Sequence, residues 1–150
     1  MSEIGQSSGP FVQVASFCQA ALTEQNGILS LVRITDRVSV TGTAPDMAPT
    51  PIQNLTLVIV LKAGFMRGRY SIKLTTTINE QLIGEVELPV LFEGEDRGIG
   101  IILPIAFIAK EEGVYWFDVS LVEGLVPLTR IPLRVMYQRL PQFGPPPATT

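Results

Sequence analysis

Cys18 is the only cysteine in the 150 residues, and the chain contains no histidine. A thiolate nucleophile needs a neighbouring base or cation to keep it ionised, so composition alone rules out a Cys–His pair. The same two facts remove disulfide frameworks, thiolate zinc sites and the commonest metal ligand. Cys18 alternates with Val14 and Ala20 on an apolar strand face, where a buried, inert thiol is expected. Ser16, Ser30, Ser39 and Ser71 sit in strand-like runs without a Gly-x-Ser-x-Gly elbow, and nothing in the spacing pairs a serine with Lys62 or Lys73.

Carboxylates are the remaining chemistry. Glu85, Glu87, Glu93, Glu95 and Asp96 cluster in sequence, and glycosidases work with two such groups. Glu85 and Glu87 fall on one strand face and the others in a Gly-flanked turn, so a solvated face followed by a polar turn accounts for them. Glu93, Glu95 and Asp96 could begin a calcium site, but the Asp-x-Asp-x-Asp-Gly loop is missing. The glycines lack Gly-x-Gly-x-x-Gly spacing. We therefore expect no catalytic residue, no cofactor and no metal, and read the chain as a non-enzyme. Asn54-Leu55-Thr56 has the pattern of a glycosylation acceptor, which we set aside because no signal peptide precedes it.

Two groups of residues fit partner binding instead. Lys62-Ala63-Gly64-Phe65-Met66-Arg67-Gly68-Arg69 reads as a hairpin tip, and Phe65, Met66 and Arg67 are of types enriched in interface cores. Phe65 folded back over the end of the domain is the structural alternative. Trp116 is expected on an outward face beside Arg130 and Arg134, either stacked on an arginine or anchoring an interface.

The composition points the same way. Hydrophobic residues make up 46% of the chain and charged ones 17%, against about 25% charged in an average globular protein. Some apolar surface is thus expected to meet a partner. A net charge of −3 opposes the phosphate-driven binding that nucleic acid requires. The amino terminus has neither a basic start nor an apolar h-region, and no run approaches a membrane span, the best being Ile99 to Ala109 with Gly100 and Pro104 inside it. The expectation is a soluble cytoplasmic protein with no membrane partner.

The elements that would position these residues are strands. Twelve prolines and 13 glycines punctuate runs rich in Val, Ile, Leu, Thr and Phe. That spacing predicts an all-β protein, an antiparallel two-sheet β-sandwich of immunoglobulin-like or jelly-roll-like type with about eight strands. Residues 11–138 form its single domain, between an N-terminal tail (1–10) and a Pro-rich C-terminal tail (139–150). The first strand, Phe11 to Leu22, turns its Val12, Val14, Cys18, Ala20 and Leu22 inward. Asn26-Gly27 supplies a hairpin turn, and the return strand runs from Ile28 to about Ile34, with Val38 to Thr41 as its expected continuation past the interruption at Asp36 and Arg37.

Leu55 to Leu61 and Ile99 to Ala109 are apolar on both faces. Tyr70, Ile72, Leu74, Thr76 and Ile78 point inward, as do Val86, Leu88, Val90 and Phe92 on the next strand. Matching those faces around a turn at Asn79-Glu80-Gln81 places Lys73 opposite Glu87. In the last hairpin, across Glu123-Gly124, Tyr115, Phe117, Val119 and Leu121 match Ile131, Leu133, Val135 and Tyr137 only if one residue is absorbed, and Pro127 is the natural bulge. Asp118 then faces Arg130, with Trp116 near Arg134.

Residues 17–31 (Phe17-Cys18-Gln19-Ala20-Ala21-Leu22 through Gly27-Ile28-Leu29-Ser30-Leu31), with Gly113-Val114-Tyr115-Trp116-Phe117-Asp118-Val119 and Arg130-Ile131-Pro132-Leu133-Arg134-Val135, resemble a family of short, functionally uncharacterised bacterial β-sandwich proteins. The resemblance covers about residues 11–137. It implies the sandwich fold and carries no activity.

The reading that follows is a non-enzymatic structural or protein-interaction module, self-associating through the doubly apolar strands. The alternatives are a binder of a small apolar or sugar ligand, and a component of a larger bacterial or phage-derived assembly.

Overall fold

The computed structural model describes residues 9–122 and 126–141, without the side chains of Asp96 and Val126. Seven strands account for the fold: β1 (Phe11–Thr23), β2 (Leu29–Thr35), β3 (Arg37–Gly42), β4 (Thr50–Ile78), β5 (Gln81–Ala109), β6 (Gly113–Leu121) and β7 (Val126–Arg139). The protein is all-β, as expected. The strands join one open mixed sheet in the order β2-β1-β4-β6-β7-β3, and β5 pairs with β4 off this path.

Seven strands stand where about eight were expected because neighbouring runs merge. Leu55 to Leu61 and the alternating strand 69–78 are parts of one 29-residue β4, and β5 is equally long. Lys62 to Arg69 is therefore no hairpin tip. It pairs with the segment read as the Glu93–Gly98 turn, Lys62 opposite Gly98, Gly64 opposite Glu95 and Arg67 opposite Glu93. Register shifts flank Gly64, and Gly64 (φ 62°) and Gly94 (φ 80°) hold left-handed backbone that β-carbons resist. At Gly94 a Cβ would also lie 2.7 Å from Arg67 Nε.

These bulges fold the β4–β5 ribbon over. Phe17 pairs with Leu57 and Phe117 with Thr76, positions that a straight β4 would hold about 60 Å apart. The two rings instead meet edge to face with centroids 4.9 Å apart. Phe107 of β5 joins them, 5.1 Å from Tyr115 and 6.0 Å from Phe117. The core, including Leu57, Ile59, Ile72, Leu133 and Val135, lies between the halves of this doubled sheet.

The first strand changes face after Val12, which packs against the core as expected. A register shift between Val12 and Val14 turns Ala15 and Phe17 toward the core. Cys18 is still buried, as is Val58, both outside the main core cluster. The β1–β2 ladder lapses at Gln19 and Arg33, where Arg33 takes a φ of 57°. Beyond that point Leu29 reaches Gly100 of β5, its Cδ1 3.3 Å from where a Cβ would stand. The hairpin thus bends across the back of β4 and β5, covering apolar side chains that the front core cannot take.

Two turns exchange roles. At Asn26-Gly27 only Gly27 (φ 75°) is left-handed, and its N–H donates to the Glu24 carbonyl at 2.9 Å. The two-residue turn with both residues left-handed is Asn79-Glu80 (φ 49° and 65°), closed by the Ile78–Gln81 pair.

Antiparallel pairing has one exception. β2 ends at Thr35, and β3 crosses to run parallel with β7, from Arg37 opposite Arg134 to Gly42 opposite Arg139. Leu140, read as tail, donates its N–H to the Gly42 carbonyl at 2.6 Å. The remaining tail residues 1–8 and 142–150, and the Glu123-Gly124 turn, lie outside the described residues.

Candidate functional site

The last hairpin has the register its sequence implies. Asp118 stands opposite Arg130, and the ladder shifts between Val119 and Ser120, beside Pro127. Arg130 Nε donates to Asp118 Oδ1 at 2.9 Å, and the guanidinium carbon lies 4.4 Å from the centre of the Trp116 ring. Trp116 itself is opposite Pro132, and Arg134 is opposite Val114, so the arginine on the indole is Arg130. The Trp116 face is therefore already occupied by a cation from its own chain.

The ribbon bend disperses the second candidate group. Phe65 is 64% exposed. Met66 packs against the core. Arg67 Nη2 lies 3.8 Å from Glu95 Oε1. Two more of the clustered carboxylates are paired, Glu93 with Arg97 and Glu85 with Lys73, both at 3.1 Å. Lys73 does stand opposite Glu87 in the ladder, but its ammonium reaches diagonally to Glu85. Among the described residues no three acids, cysteines or histidines come together in a way that could hold a metal ion. Burial pushes the Cys18 thiol up from its ordinary value, against thiolate chemistry.

Sequence reasoning found both halves of β5, Val86 to Phe92 and Ile99 to Ala109, but missed that they form one continuous edge strand. Among the described residues this strand pairs with β4 alone, and none of them pairs with its other edge. Leu82, Ile83, Val86, Leu91, Ile102 and Ile108 are all exposed on it. Val86 does pair with Leu74 as the inward reading requires, yet it is 43% exposed because no strand flanks it. Two consecutive apolar residues, Leu82-Ile83, beside Gly84 were the available signal.

Where the ribbon doubles, the two halves of β5 form the rims of a cleft of about 690 Å³. Thr76, Ile105, Phe107 and Phe117 line its interior, and Lys110 and Glu111 stand at one end. Thr76 is the buried polar residue of the described chain. Tyr115 OH donates to the Glu111 carbonyl at 2.6 Å, and burial raises the phenol above its ordinary value. Asn79 Nδ2 donates to Glu111 Oε1 at 2.9 Å. This is a concave apolar surface with polar groups at one end, suited to holding a molecule.

No family model matches the chain, and no curated protein matches it. Among the described residues no helix is long and apolar enough to cross a membrane.

Proposed function

We propose that this chain is a non-enzymatic protein-interaction module that self-associates through the free edge of β5. The observation that carries the reading is that, among the described residues, β5 has a single neighbour while six large apolar side chains are exposed along it. Unpaired N–H and C=O groups beside apolar side chains form a template for a further strand. The other strand expected at an interface, Leu55 to Leu61, is central, with Leu57, Val58 and Leu61 fully buried. Self-association falls to β5, and its run Gln81–Leu88 has no proline to interrupt pairing.

The finer architectural reading is a two-layer sandwich, the layers being the halves of the doubled sheet, as in the short bacterial β-sandwich proteins the sequence resembles. A single free thiol suits a reducing compartment, and we place the module in the cytoplasm.

Light scattering after size exclusion tests the proposal on the full chain. The wild type should elute with the mass of a dimer, and Ile83→Lys combined with Val86→Lys with that of a monomer, because a charge on each exposed position opposes edge pairing. Trp116→Ala should leave the mass unchanged. A monomeric wild type at high concentration, or a double variant that keeps the oligomer, would sink the idea.

A further inference from the structure

We propose that the cleft between the two halves of β5 binds an elongated apolar molecule ending in a carboxylate, of the long-chain fatty-acid class. Its volume, about 690 Å³, falls within the range of small-molecule sites, roughly 300–1,000 Å³. Ile105, Phe107 and Phe117 give it an apolar interior that exchanges ordered water for hydrocarbon. The head group is argued from charge. Lys110 and Glu111 are the charged residues of the lining, and the Glu111 carboxylate accepts a hydrogen bond from Asn79. Among the described residues the Lys110 ammonium makes no ion pair, so it is the cation free to meet a carboxylate.

A peptide strand suits the cleft less well. Pro104 lies on one rim and has no N–H to offer a ladder, whereas an acyl chain needs none. Gly84 lines the cleft opposite Thr76, and a Cβ built there would meet Thr76 Cβ and Oγ1 at an ordinary 3.9 Å. Its backbone is not left-handed, so a larger side chain fits the strand and fills the cleft.

Calorimetric titration of the full chain with tetradecanoate, and separately with tetradecan-1-ol, tests the assignment. Wild type should bind tetradecanoate saturably at one molecule per chain. Gly84→Leu should lose at least about tenfold in affinity, the effect of filling the space a chain must enter, while its melting temperature and light-scattering mass stay at wild-type values. Lys110→Met should weaken the acid about threefold, as expected of one exposed ion pair, and leave the alcohol unchanged. Absence of saturable binding, a Gly84→Leu protein that binds like wild type, or equal responses of acid and alcohol to Lys110→Met would each overturn the proposal. Ile83 and Val86 line the cleft as well as the edge, so ligand binding is read by calorimetry on Gly84→Leu and Lys110→Met and self-association by light scattering on the Ile83/Val86 pair, and failure of one leaves the other reading standing.

Discussion

Arg130 lies over Trp116 at 4.4 Å while its Nε donates to Asp118, so one guanidinium closes the outer face of β6 onto β7. The clamp is exposed, and its worth is that of a cation–π contact plus a solvent-screened ion pair, about 0.5–1 kcal/mol. Arg130→Ala should lower unfolding free energy by roughly that amount in a urea titration. Because Trp116 is the single tryptophan, its emission should shift to longer wavelength in the same variant. Unchanged fluorescence would show that the stack does not persist in solution.

Phe117 is the hub of the core between the doubled halves, touching Phe17 at 4.9 Å and Phe107 at 6.0 Å. Phe117→Ala should cost about 3–5 kcal/mol, a large share of the roughly 5–15 kcal/mol that holds an ordinary domain folded. Phe117→Leu should cost less and stay folded. Circular dichroism melts of the pair check this, and a Phe117→Ala protein that melts at the wild-type temperature would contradict the packing.

Glu80 holds a φ of 65° in the Asn79-Glu80 turn, where glycine is the favoured second residue. Glu80→Gly should therefore stabilise, by about 0.5–1 kcal/mol. Gly42→Ala should do the reverse. Its Cβ would lie 2.8 Å from Tyr137 Oη, and that hydroxyl is held by a 2.6 Å bond donated to the Ala44 carbonyl. Opposite signs in thermal denaturation are the expected result.

Alkaline pH should destabilise the fold. The Cys18 thiol and the Tyr115 phenol are both raised by burial above their ordinary values, 9.0 and 10.0. A raised value means the folded state favours the neutral form, so this stability is intact below pH 9.0 and is lost as pH climbs through the folded values. Denaturation midpoints measured from pH 8 to 11 should fall, and Cys18→Ala should remove the earlier part of the decline. A thiol reagent should label Cys18 only after unfolding.

The alternating strands were the legible part of this chain. Ile72, Leu74 and Ile78, and Tyr115 through Leu121, point where a period of two puts them, and the Asp118–Arg130 pairing follows from counting residues across a bulge. Periodicity fails where the backbone breaks its own rhythm. The shift at Val12–Val14 inverted the face assigned to Cys18, and the glycines near positions 64 and 94 looked like loop punctuation although they bend a paired ribbon. The parallel β3–β7 contact had no local signature, since its partners lie almost a chain apart. The cleft was hidden for the same reason: its rims are two halves of one strand that only the bend brings together.

That parallel pairing also dictates the order of assembly. Among the described residues β3 has only β7 beside it, so as the polypeptide leaves the ribosome residues 37–42 wait for residues 134–139 before they can enter this sheet. Closure over so long a loop is slow, and the nascent chain carries an unpaired strand until residues 134–139 emerge. Shortening the carboxyl-terminal strand should therefore do more than trim an edge: it would strand β3 in the open, and a truncated chain should aggregate during synthesis where a point variant in β3 merely folds less stably.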